Sequence, residues 1–143
     1  AGDRNSAALG AADIQVSKGR TMLEQLENGR LSEAETLDRV GGDRELLREM
    51  YEIFLADTPE RMEELTRAVE IGDLPEAAKA AHSLKGSSAS IGAEWCRALA
   101  RDVEYAAREE DSAELQRRMA GLTAELEELL PLLSKLLARS EGV

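Results

Sequence analysis

Near the C-terminus seven apolar residues, Leu115, Met119, Leu122, Leu126, Leu129, Leu133 and Leu136, recur in alternating steps of four and three. That spacing lays one apolar stripe along a helix; a half-buried strand would need alternation in twos. A stripe of this length needs cover from other helices, so it reads as the seam of a helical bundle or coiled coil. Pro131 sits inside it and is expected to kink or interrupt the helix.

The chain before the seam carries the helices that would cover it. Asp43 can cap a helix in which Leu46, Leu47, Met50, Ile53 and Phe54 recur at helical spacing. Thr58-Pro59 reads as the end of that helix and the start of another, with Met62, Leu65 and Val69 on its inner side. Gly72-Asp73 is a second stop-and-start pair, with Glu76 as the N3 partner of the Asp73 cap. The next helix is expected from Leu74 to Ile91, ending at Gly92. One more carries Trp95, Leu99, Val103 and Ala106, and the seam helix begins near Asp111 or Ser112. Short links force neighbouring helices antiparallel. The fold class is therefore all-α, an up-and-down antiparallel four-helix bundle. One or two extra helical segments precede it: a weak pattern from Arg20 to Asn28, and the set Leu31, Leu37 and Val40. Residues 1–33 read as a linker or tail holding that short helix, and 34–140 as the bundle.

Composition narrows the class of partner. The 143 residues carry a formal net charge of −11, which repels phosphate backbones and anionic headgroups, so neither nucleic acid nor direct membrane binding is expected. No apolar run approaches the roughly 18 residues of a membrane span. Cys96 is the one cysteine, so no intrachain disulfide can form, which fits a cytoplasmic setting. The chain starts at Ala1, not Met, and its first 18 residues are linker-like. It therefore reads as an excised domain, whose parent could be a membrane-anchored sensor with this end in the cytoplasm.

One segment carries chemistry: Lys79-Ala80-Ala81-His82-Ser83-Leu84-Lys85-Gly86-Ser87-Ser88-Ala89. At roughly 100° per residue, Leu74, Ala77, Ala81, Leu84, Ser88 and Ile91 share the face that meets the core. His82 lies roughly 100° from the centre of that face, at its edge or in solvent. Its neighbours at helical spacing are Ala78, Lys79, Lys85, Gly86 and Ala89, each small or cationic. A mid-helix glycine costs about 1 kcal/mol relative to alanine, so Gly86 points to a need for clearance beside the ring. A neutral imidazole nitrogen is nucleophilic near neutral pH. The lysines can offset a dianion placed on it.

The run His82-Ser83-Leu84-Lys85-Gly86-Ser87-Ser88, followed by Ile91-Gly92-Ala93, resembles the signature of histidine-containing phosphotransfer (Hpt) domains. Gly41-Gly42-Asp43 before a helix carrying Phe54, Gly72-Asp73 before the histidine helix, and Val103-Glu104 after it are similar to flanking features of the family. The resemblance spans roughly residues 34 to 138. It implies a four-helix bundle whose exposed histidine takes a phosphoryl group from a receiver-domain aspartate and gives it to another receiver. Carried over, His82 is the phosphoacceptor, Lys85 the charge partner and Gly86 the clearance residue; Lys79 as a second charge partner follows from the helical wheel alone. The implied partners are response-regulator receiver domains, with a hybrid sensor kinase in cis as a further one. Magnesium is expected on the receiver, and the chain itself is expected to need no cofactor or metal and to be a monomer.

Competing readings fit less well. An autophosphorylating kinase would need a nucleotide-binding domain and a glycine-rich phosphate loop, and the chain has room for neither. It is therefore read as a stoichiometric carrier and not an enzyme. Ser83, Ser87 and Ser88 have no histidine–acid relay within a turn, and Cys96 beside Trp95 reads as core. A metal site is disfavoured by the single histidine and single cysteine. The alternative is a helical module that docks or dimerises without phosphorylation.

Overall fold

The computed structural model describes residues 29–142. Among them five helices follow in order: α1 (Glu33–Arg39), α2 (Arg44–Ile71), α3 (Leu74–Ser90), α4 (Glu94–Arg108) and α5 (Ser112–Gly142). No strand occurs among the described residues. The same capping device starts three of the helices. Asp43, Asp73 and Asp111 each accept, through Oδ1, the backbone N–H three residues on, at 3.0, 3.2 and 3.0 Å. Each bond satisfies one of the amides a helix start leaves without an internal partner. Gly72 closes α2 in the left-handed region, φ 78°, where a side chain would be strained.

The links are short, and α2 packs on α3, α3 on α4, α4 on α5 and α5 back on α2. That closed ring of antiparallel neighbours is the four-helix bundle. Its core holds Leu115, Leu122, Leu126, Leu129, Leu133 and Leu136 from the seam, with Met119 partly buried beside them. Opposite lie Ala77, Ala81, Leu84 and Ile91, on the face of α3 expected to point inward.

Two helix ends differ from the sequence expectation. α2 does not stop at Thr58-Pro59 but runs through it. Tyr51, Phe54, Thr58, Leu65 and Ala68 form one buried line along α2 on both sides of the proline. Breaking the helix there would unseat half of that line, a larger loss than one backbone hydrogen bond. The ring of Pro59 is exposed, so it displaces no core atom. Pro131 likewise interrupts nothing, since α5 continues to Gly142. The apolar faces also rotate slightly from their expected positions. Leu46 and Ile53 are exposed on α2 while Tyr51 is buried. On α4, Val103 and Ala106 are buried as expected, but Cys96 and Ala100 take the core places expected of Trp95 and Leu99, which are only partly buried.

The residues before α1 are held against the bundle. Ser32 donates its backbone N–H to Gly92 O at 2.8 Å, and Leu31 is fully buried. The Arg30 guanidinium makes two bonds to the Glu125 carboxylate, at 2.8 and 3.1 Å, and lies 4.7 Å over the Trp95 ring. Burial pushes the Glu125 carboxyl up, against the pull of Arg30. The last residues of the segment read as a tail, 1–33, thus pack on the bundle. The pattern from Arg20 to Asn28 and the linker-like first 18 residues lie outside the described residues. No helix is long and apolar enough to cross a membrane among the described residues.

Candidate functional site

α3 explains why its histidine is presented as it is. The helix buries a line of small residues, Ala77, Ala78, Ala80 and Ala81, with Leu84 and Ser88 continuing it. Small side chains bring α3 close to its neighbours, and His82, off that line, is left with 62% of its side chain exposed. Gly86, one turn on, is also exposed, and a Cβ placed on it would meet no atom within 4 Å. Its missing side chain therefore serves no internal packing. Lys85 is partly buried and Lys79 exposed.

The ring is not alone. Its Nδ1 lies 3.1 Å from Oε2 of Glu104 on α4. Lys85 Nζ is 2.9 Å from Oε1 of the same carboxylate. Arg108, one turn further along α4, donates to Oε2 from its terminal nitrogen at 2.7 Å and from Nε at 3.1 Å. Glu104 is thus a buried hub, 9% exposed at its side chain, with three nitrogen-bearing side chains on it. Burial alone would push its carboxyl up. The bonds from Lys85, Arg108 and His82 and the Lys85 charge outweigh it and hold the carboxyl down at about 2. An ionised carboxylate can only accept hydrogen bonds, so the proton in the contact with His82 sits on Nδ1. In the neutral ring, Nε2 is then the nitrogen that keeps its lone pair.

The structure therefore brings His82 and Lys85 together through Glu104, and leaves Gly86 as open space beside them. It does not bring in Lys79, which has no hydrogen bond or ion pair among the described residues. Its place is taken by Arg108, a residue the sequence reading did not single out. Glu104 entered that reading only through the Val103-Glu104 pair. The signal was there: an acid one position from the buried Val103, with an arginine a single turn on.

Ser87, Ser88 and Cys96 are occupied elsewhere. Ser88 Oγ is buried and 3.1 Å from Cys96 Sγ, and burial pushes the thiol up to about 11. Ser87 Oγ donates to Leu84 O at 3.2 Å. No group of three metal-ligating side chains occurs among the described residues. On the α2 side of α3, a shallow hollow is lined by Met50, Ile53, Phe54, Ser87 and Ser90 among others. Ile53, at its rim, is 59% exposed.

Residues 49–132 match the family model described as the Hpt domain. Three solved structures are similar. The Hpt domain of an Hpt sensor hybrid histidine kinase from Shewanella is 21% identical, with a TM-score of 0.69 over 78% of this chain and 96% of that one. A putative histidine-containing phosphotransfer protein from rice is 18% identical, with a TM-score of 0.74 over 96% and 98% of the two chains. A histidine-containing phosphotransfer protein from maize is 18% identical, also with a TM-score of 0.74, over 90% and 97%. No match was found among curated proteins. At these identities the solved structures speak for the fold, and the family model, spanning more than half of the chain, speaks for the family. The chain belongs to the Hpt family, the histidine phosphotransfer domains of phosphorelays, whose members carry phosphoryl groups and are not kinases.

Proposed function

We propose that His82 is the phosphoacceptor and that it reacts through Nε2. The observation that carries this is the 3.1 Å contact of Nδ1 with the ionised Glu104. It favours the Nδ1–H tautomer, which reserves the Nε2 lone pair for reaction, on the one histidine of the chain. In the reaction the Nε2 lone pair attacks the phosphorus of a receiver's aspartyl phosphate. The phosphorus–oxygen bond breaks and the aspartate leaves as carboxylate. Phosphoryl transfer asks for in-line positioning and charge neutralisation more than for covalent help. The rigid α3 supplies the first.

The cations at the hub supply part of the second. Counting Glu104 as −1 and Lys85 and Arg108 as +1 each, the hub with a neutral ring is +1, which favours an incoming phosphoryl group. Magnesium on the receiver is expected to supply the rest. Gly86 leaves room for the receiver's surface, and Met50 and Ile53 offer it apolar contact beyond α3. Burial of the Leu115–Leu136 seam inside the bundle supports a monomer, since that stripe is not free to pair with a second copy.

The test is transfer of labelled phosphoryl from a panel of phosphorylated receiver domains, with magnesium, to the wild-type chain and to His82→Gln. Acid-labile, base-stable label on the wild type alone is the expected result. No label on the wild type from any receiver would favour a docking module that works without phosphorylation.

A further inference from the structure

Glu104 touches the ring on the side that does not react, and its role need not end once the phosphoryl group has arrived. When Nε2 bonds to phosphorus and Nδ1 keeps its proton, the ring becomes a cation. Whether it stays one decides how the phosphoryl group leaves. From a cationic ring, onward transfer breaks the Nε2–phosphorus bond and returns the pair to Nε2, giving neutral imidazole with its proton still on Nδ1. From a ring that has lost that proton, the leaving group is an imidazolide anion, a far poorer one.

Building on the reading of His82 as phosphoacceptor, we propose that Glu104 is a positioning residue that keeps the Nδ1 proton on the phosphorylated ring, so that both transfer steps run without exchanging a proton with solvent. The geometry places a buried carboxylate oxygen 3.1 Å from Nδ1, where a ring cation would form a charge-assisted bond. Summed with the phosphoryl group, the charges around the ring favour the cation, although Lys85 and Arg108 alone oppose it. The charged groups are Glu104 and Arg108 from α4, and Lys85, with Lys79 one turn back, from α3. Counting Glu104 as −1, Lys85 and Arg108 as +1 each, the ring as +1 and the phosphoryl group as roughly −2, the phosphorylated hub closes to zero. Losing the ring proton would leave it at −1, in a pocket whose carboxylate is already buried. Arg108 and Lys85 occupy Glu104 without displacing the ring, because Lys85 takes Oε1 while Arg108 shares Oε2 with Nδ1.

The proton balance of the cycle is then simple. Receiver carboxylate and phosphoryl enter and leave, bonds to phosphorus exchange between oxygen and Nε2, and Nδ1–H is present at the start, in the middle and at the end. The hub becomes a device for reversible transfer whose rate does not follow the pH of its surroundings.

The experiment measures onward transfer from the phosphorylated chain to one receiver across about pH 6 to 9, for wild type, Glu104→Gln and Glu104→Asp. Using the same receiver throughout, the ratio of variant to wild type removes the receiver's own titration. The ratio for Glu104→Gln is expected to fall with rising pH, approaching about tenfold per unit once the ring loses its proton. Glu104→Asp, which keeps the charge, is expected to restore most of the flat profile. A Glu104→Gln ratio that stays constant with pH, in a variant with unchanged helicity by circular dichroism, overturns the proposal. That outcome is distinct from failure of the phosphoacceptor reading, which would show as no label on the wild-type chain or as equal label on His82→Gln.

Discussion

His82, Lys85 and Gly86 lie within five residues on one helix, so helical geometry alone relates them, and the sequence is enough to group them. Glu104 and Arg108 are on a different helix, and only the packing of α4 on α3 brings them to the ring. Lys79 and Arg108 make the same point from opposite sides. The wheel placed Lys79 near His82 but could not say what lay across the groove, and there the buried carboxylate gathers Lys85 and Arg108 instead. Gly86 gives a prediction at this scale, because its space is open. Gly86→Ala is expected to raise stability by up to about 1 kcal/mol through helix propensity, with phosphorylation retained. Gly86→Glu, which adds bulk and a negative charge where the receiver approaches, is expected to slow transfer by about tenfold or more. Transfer assays beside thermal melts check both. Wild-type transfer rates in Gly86→Glu would remove the clearance argument.

Helices were the most legible level, and the misreadings share a cause. Aspartate caps and glycine stops marked the starts of α2, α3 and α5 correctly because those signals are local. Thr58-Pro59 gave an equally local signal, and there tertiary packing overrode it: the buried line from Tyr51 to Ala68 needs one continuous helix. The shift in the first turns of α4 is also tertiary, since Trp95 lies against Arg30 and Cys96 takes the core place, while Val103 and Ala106 further on keep theirs. A proline kept in a helix interior forfeits one backbone bond and crowds the preceding turn. Pro59→Ala is therefore expected to stabilise the chain, by up to about 3 kcal/mol. The melting temperature should rise with no change in phosphoryl transfer. A lower melting temperature would mean that Pro59 fits its turn without strain.

At the scale of the whole molecule, the bundle could be foreseen from the leucine seam, but the ionic contacts that span it could not, because nothing local pairs Arg30 with Glu125 or His82 with Glu104. The second pair has a consequence for stability. The Glu104 carboxyl is held at about 2 in the folded chain, against an ordinary value of 4.5. A depressed acid favours the folded state above its unfolded value and loses that contribution as pH falls through the folded one. Glu104 is thus expected to contribute roughly 3 kcal/mol at neutral pH. That contribution should fade between about pH 4.5 and 2. Urea unfolding of wild type and Glu104→Gln at pH 7 and at about pH 2 reads it as a gap that closes on acidification. A gap of constant size would show that the carboxylate's charge does not contribute.

In the proposed reaction the phosphoryl group is carried by Nε2 of His82, with Nδ1 turned to Glu104. Nitrogen–phosphorus NMR of the phosphorylated, nitrogen-labelled chain tests that most directly. Phosphorus coupling to Nε2, with a proton still observed on Nδ1, is the predicted result. Coupling to Nδ1, or phosphorus bound to no histidine nitrogen, would contradict it.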